Sequence, residues 1–346
     1  MRYLIFMLWM VVALSPAKTI FAQLKTANAV GQQTFFFEDA SRNRKLTTEV
    51  WYPTSDSFVA EEIRENPFYR LATKRDATLQ PGKFPVILFS HGTGGGRLTV
   101  EWLCAGLASH GYIVVAVDHF GNTFDNPIPE EFVKIWNRPQ DISYVLTQVL
   151  KSDAFSRSID ADRIGAAGFS LGGFTSVALA GGKMDLDGLI RYLQTPEGKS
   201  EIDIPEMPGL ISMFDKPEIK ESFKKAPSLT DPRIKCVFVM APAVGNAFPD
   251  KASISKVNIP VYIVGAQEDK IAPVKNNAQR YSQLISQSKI TIIPDAGHYV
   301  FLNEAKDGLK QQAPVFFSDS PVVNRKDIHE KTLLIAVKHF DACFKK

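Results

Sequence analysis

Short, largely apolar runs recur along the chain at residues 85–89, 112–117, 163–167, 234–241, 261–264 and 290–293. They are continuous rather than alternating, the pattern of strands buried on both faces, as in a parallel sheet. Between most of them lie stretches of helical character at 99–109, 141–150 and 274–286, with a last helix expected at about 327–344. Strand and helix in alternation predict a doubly wound α/β domain, its central sheet mostly parallel and flanked by helices. Two β-rich stretches, 34–37 and 46–52, precede this rhythm, the second closed by Pro53. The polar segment 54–83 is expected to be partly helical.

One stretch breaks the rhythm. Residues 182–230 are rich in proline and charge and carry Met184, Met207 and Met213 between two core strands. A segment of that length inside a compact domain reads as a cap or lid over a site, or else as a surface insertion without substrate contact.

Composition adds limits. At 346 residues and 45% hydrophobic content, the chain suits one large α/β domain with an insertion. The 40 basic and 37 acidic residues leave a net charge of +3 without a basic block, so no nucleic-acid partner is indicated. The apolar run at 3–14 is too short to span a bilayer as a helix and suits the core of a signal peptide, residues 1–22, cleaved after Ala22. The competing expectation is an uncleaved N-terminal anchor. No later stretch reaches the roughly 18 apolar residues of a membrane span. The expected mature chain is 23–346, in the periplasm or outside the cell. The three cysteines, Cys104, Cys236 and Cys343, form no C-x-x-C. Cys236 sits in a strand-like run and reads as a small buried hydrophobe. One disulfide is possible in an oxidising compartment, with the pair left open.

The chemistry is concentrated in Gly168-Phe169-Ser170-Leu171-Gly172, directly after the run at 163–167 and before helix-like residues. Strand, tight turn and helix are the setting that a G-x-S-x-G nucleophile elbow requires, with glycines where a Cβ would clash. Ser170 is therefore the expected nucleophile. A serine hydroxyl needs a base. Of six histidines, His298 lies just beyond the last strand-like run, at the same sheet edge as Ser170. The acid that orients it is expected just after the preceding strand, where Asp269 is preferred and Glu268 competes. Backbone N–H groups of Leu171 and of Thr93, in the loop Ser90-His91-Gly92-Thr93-Gly94-Gly95-Gly96, are the expected oxyanion donors. Phe169, Tyr299 and Phe301, with Leu171, are possible pocket walls or equally core packing. The glycine loop lacks the Gly-Lys-Ser/Thr of a phosphate cradle, and His91 reads as a packed, hydrogen-bonded histidine. No metal-ligand spacing is present, and no cofactor or metal is expected.

In this order the chain resembles the bacterial predicted dienelactone hydrolases related to platelet-activating-factor acetylhydrolases, members of the α/β-hydrolase superfamily. The matching residues are Phe89 to Gly95, Leu107 to Tyr112, Val117-Asp118-His119, Arg138-Pro139-Gln140-Asp141-Ile142, Gly168 to Gly173 and Gly297-His298. The resemblance implies hydrolysis of carboxylic esters or lactones by a Ser-Asp-His triad, and the leading expectation is ester cleavage through an acyl-enzyme. A polyester or acyl-lipid hydrolase is the nearest alternative, and a non-catalytic binding protein on the same scaffold is the third reading. Two departures stand out. Dienelactone hydrolases proper use cysteine where this chain has Ser170. The mammalian acetylhydrolases carry their acid after the sixth strand, where this chain reads Met240-Ala241-Pro242-Ala243.

Overall fold

In the computed structural model, residues 28–57, 66–214 and 216–345 are described, so the expected signal peptide at 1–22 lies outside them. The chain opens on a hairpin of β1 (Ala29–Asp39) and β2 (Arg44–Thr54), paired antiparallel. A three-residue strand, β3 (Thr73–Arg75), lies parallel to β1 at the sheet edge. The described part of 54–83 contains this strand and a bridge from Thr54 to Leu79, and residues 58–65, within the stretch expected to be partly helical, lie outside the described residues.

Then the alternation begins. β4 (Phe84–Ser90), β5 (Ile113–Val117), β6 (Ile159–Phe169), β7 (Ile234–Met240), β8 (Val261–Ala266) and β9 (Ser288–Ile293) pair in parallel, and the whole sheet runs β3-β1-β2-β5-β4-β6-β7-β8-β9. Successive residues of β4 point to opposite faces. Val86 and Leu88 join a core with Ile142 and Val145, whereas Ile87 and Phe89 join a second with Leu103 and Phe340. Thus α3 (Asn137–Lys151) and α4 (Leu171–Leu179) cover one face. On the other lie α1 (Glu101–Ser109) and, at the end of the chain, α11 (Arg325–Phe344). A short helix, α2 (Pro129–Val133), precedes α3.

From β4 the chain moves to β5 on one side and then crosses to β6 on the other. A reversal of this kind opens a crevice at the carboxyl ends of the two strands, where α/β sheets place their ligands. Here it is formed by the loop after β4 and the turn after β6.

The segment 182–230 folds into α5 (Leu186–Leu193), α6 (Pro196–Ile202) and α7 (Pro217–Lys224). Leu186, Leu189, Ile190 and Leu193 recur at helical spacing and are buried against the first core. Asp185 caps α5 through Gly188 N–H at 2.9 Å, and Thr195 caps α6 with Pro196 in its first turn. After β8 comes α8 (Ala278–Leu284); α9 (Asp307–Gln312) and α10 (Pro314–Phe317) lead to α11. Cys236 in β7 is bonded to Cys343 in α11, so Cys236 is not the free buried hydrophobe expected from its setting.

Candidate active site

Ser170 sits between β6 and α4 with φ near 54°, a backbone conformation that costs a non-glycine residue about 1–3 kcal/mol. The turn is tight enough to demand its glycines. A Cβ at Gly168 would lie 2.0 Å from the Gly172 carbonyl oxygen, and one at Gly172 would lie 1.8 Å from that of Ser90. Three backbone bonds pin the elbow: Ser170 N–H donates to Met240 O, and Ser170 O accepts from Gly173 and Ala243 N–H. The strained residue is thereby fixed from both sides.

His298 follows β9 in a single turn of 3₁₀ helix, and Asp269 follows β8. Ser170 Oγ lies 2.9 Å from His298 Nε2, and His298 Nδ1 lies 2.7 Å from Asp269 Oδ2. With the imidazole proton on Nδ1, the ring donates to the carboxylate and its Nε2 accepts the serine proton. The other carboxylate oxygen, Oδ1, accepts from the amides of Ile271 and Ala272 at 2.9 and 2.7 Å, so Asp269 is held in place. All three side chains are buried. Glu268, the competing acid, points to solvent.

Leu171 is the first residue of α4, so its N–H has no acceptor within that helix, and the positive end of the helix lies there. Across the crevice, Gly94 N–H donates to Asn122 Oδ1, Gly95 N–H to Gly92 O and Gly96 N–H to Thr99 Oγ1. The Thr93 amide takes no part in these bonds, and Thr93 lines the same pocket as Ser170 and Leu171.

A second Ser–His–Asp chain lies beneath the glycine loop. Ser90 Oγ is 2.9 Å from His119 Nε2, whose Nδ1 is 3.0 Å from Asp141 Oδ2. It is sealed from solvent, and burial, reinforced by the Arg138 and Arg44 charges, holds His119 well below the usual histidine range. No substrate reaches a hydroxyl sealed beneath the loop, so this hydrogen-bonded chain is not a second active site. Its role is structural. Arg138 bonds the His91 carbonyl and, at 3.0 Å, Asn122 Oδ1, the atom that also receives Gly94 N–H. His91 is likewise buried and held neutral, the packed histidine expected from the sequence.

The pocket beside Ser170 is narrow, about 70 Å³, and of the four side chains read from the sequence as wall or core it takes Leu171 into its lining. Phe132, Ile135, Leu189, Ile204 and Phe214 form much of its apolar wall, several of them from 182–230. Phe169 and Phe301 belong instead to the second core behind His298. Alternation along β6 turns Phe169 away from the crevice and into that core, one of the two placements open from the sequence. Tyr299 lies outside the wall too and reaches the pocket through Glu206, to whose Oε1 its hydroxyl donates at 2.9 Å. Sequence reasoning missed Glu206, because nothing local marks an insertion carboxyl that meets a side chain 93 positions away. Among the described residues the grouping with metal-ligand proximity is Cys236, His339 and Cys343, and its two sulfurs are bonded to each other.

Parallel core, strained elbow and sheet-edge histidine are the architecture of one enzyme superfamily, and the sequence agrees. A profile described as "Alpha/beta hydrolase family" matches residues 87–310, and the chain belongs to that family. A second, "Platelet-activating factor acetylhydrolase, isoform II", matches residues 29–123. Cutinase est2 of Thermobifida alba is 34% identical over 128 residues, 37% of this chain and 40% of the cutinase. The platelet-activating factor acetylhydrolase of Gallus gallus is 43% identical over 47 residues, 13% of this chain and 11% of that protein. The chain therefore matches less than half the length of these relatives. A ferulic acid esterase from Streptomyces cinnamoneus has the same fold, with a TM-score of 0.62 at 20% identity, covering 94% of this chain and 92% of that one. No helix of the described residues is long and apolar enough to cross a membrane.

Proposed function

We propose that the chain hydrolyses carboxylic esters, with Ser170 as nucleophile, His298 as general base and Asp269 as the acid that orients it. The observation that carries this reading is the continuous hydrogen-bond chain from Asp269 through His298 to Ser170 on a strained elbow. His298 Nε2 takes the Ser170 proton as Oγ attacks the ester carbonyl. The oxyanion rests on the Leu171 and Thr93 amides, donors worth about 3–4 kcal/mol each. His298 then returns the proton to the departing alcohol, leaving an acyl-enzyme on Ser170. Water, deprotonated by the same imidazole, attacks the acyl carbon and restores the serine.

Residues 182–230 act as a cap in this reading, since several of their side chains share a wall with Ser170. The narrow, mostly apolar pocket favours a small ester arm over a polymer strand. That relatives are named cutinase and acetylhydrolase supports ester chemistry. Export, by cleavage after Ala22, belongs to the same proposal.

The test is pre-steady-state mixing with p-nitrophenyl acetate, followed by mass spectrometry of the quenched protein. An acetyl group on Ser170 during turnover is the expected result. Turnover at the wild-type rate in His298→Ala would contradict the assignment.

A further inference from the structure

Among the described residues, three buried side-chain polar atoms lack a hydrogen-bond partner: Arg42 Nη2, Thr332 Oγ1 and Glu206 Oε2. Only Glu206 of these three lines the pocket that contains Ser170. It reaches in from the stretch after α6. One oxygen, Oε1, is held by the Tyr299 hydroxyl at 2.9 Å, next along the chain from His298. Its Cβ lies 3.0 Å from where a side chain on Gly94 would begin, so it also abuts the glycine loop. Glu206 is thus fixed between His298 and the oxyanion donors, with one oxygen committed and the other free.

A buried acceptor without a donor is costly, and a ligand that supplies the donor relieves that cost. The neighbouring walls, Phe132, Ile135, Leu189, Leu210 and Phe214, are apolar, so the body of such a ligand is apolar too. The Oε2 atom lacks one donor. A hydroxyl brings one. It serves either protonation state of Glu206, donating to the carboxylate or accepting from the acid, and burial pushes this carboxyl above the usual range.

We propose that Glu206 is a specificity-determining residue that hydrogen-bonds a hydroxyl on the substrate, so that preferred esters carry a hydroxyl on an otherwise apolar arm held under residues 182–230. This rests on the ester-hydrolase reading given above.

The test compares methyl hexanoate with methyl hydroxyhexanoates bearing the hydroxyl near the ester, midway and at the chain end. Hydrolysis is followed by acid release for wild type, Glu206→Leu and Glu206→Gln. The readout is the ratio of kcat/KM for hydroxylated over plain ester, compared between enzyme forms, because that comparison cancels intrinsic reactivity. For at least one hydroxyl position Glu206→Leu should lower the ratio about 10-fold, the effect of one buried hydrogen bond. Glu206→Gln, which keeps hydrogen-bonding capacity, should retain most of the preference, and Glu206→Ala, with the same loss expected as for leucine, carries the test if the leucine variant does not fold. A wild type that hydrolyses plain ester, with ratios unchanged at every position in the folded leucine or alanine variant, overturns this inference and leaves the hydrolase reading intact. A wild type that hydrolyses none of the esters overturns both.

Discussion

Ser170 holds a positive φ only because its neighbours leave no alternative: Gly168 and Gly172 admit backbone where a Cβ would collide, and β7 anchors its N–H. The strain turns Oγ toward His298 rather than into the sheet. The same scale separates Asp269 from Glu268. The two are adjacent in sequence, yet one accepts two backbone amides and the imidazole, while the other is solvated. Asp269→Asn should therefore preserve the fold and lower kcat by up to about 10⁴-fold, because the amide favours the wrong imidazole tautomer. Steady-state kinetics with thermal melting checks this, and Glu268→Gln serves as the contrast, with little change expected. Ser170 and His298 were legible from sequence because motif and strand order mark them locally. Glu206 was not, since its meaning arises only where the insertion meets Tyr299.

At the scale of elements, the buried strands β4 to β8 were legible as apolar runs, because a strand covered on both faces leaves little room for polar residues, and the part-buried edge strand β9 was legible from its apolar end at 290–293. Their ends were less so: β6 begins at Ile159, several residues before its apolar run, since its first residues are half-exposed. The helices of 182–230 were hidden by their shortness and prolines, although Pro196 and Pro217 each stand in a first helical turn and start helices rather than break them. The elbow couples β6 and α4 to β4 through Gly172. Gly172→Ala places a methyl 1.8 Å from the Ser90 carbonyl oxygen and should cost more than about 3 kcal/mol, read as a loss of soluble protein or a sharp fall in Tm. The glycine loop proposed to hold an oxyanion donor is tied down by Asn122, whose Oδ1 receives both Gly94 N–H and Arg138. Asn122→Ala should lower kcat by about 10-fold or more while KM changes less, since a displaced donor weakens transition-state contacts first. A change confined to KM would contradict that role.

The whole molecule is tied together far from the crevice. The Cys236–Cys343 bond joins positions 107 apart, a pairing that spacing could not have selected, and it links α11 to the sheet. Replacing both cysteines by alanine should lower unfolding stability by about 2–5 kcal/mol, measurable by denaturant titration without reductant. Buried histidines set the response to acid. Burial holds His329 down to about 3 and His339 to about 4, and it keeps His91 and His119 well below their usual value of 6.5. Each is neutral in the native state but protonates near pH 6.5 once unfolded. The unfolded chain therefore binds more protons below that pH, so the stability conferred by neutral histidines is present above it and drains as pH falls towards 4. Tm should be lower at pH 5 than at pH 7; an unchanged or higher Tm at pH 5 would show that these groups are not buried neutral.

The most direct measurement is to treat folded protein with a fluorophosphonate probe and a short p-nitrophenyl ester, beside Ser170→Ala of equal Tm. Stoichiometric labelling and steady turnover in the wild type, both lost in the variant, are the results expected of the Ser170 assignment. A folded wild type that takes no label, or a Ser170→Ala protein that still turns over ester at the wild-type rate, would contradict it.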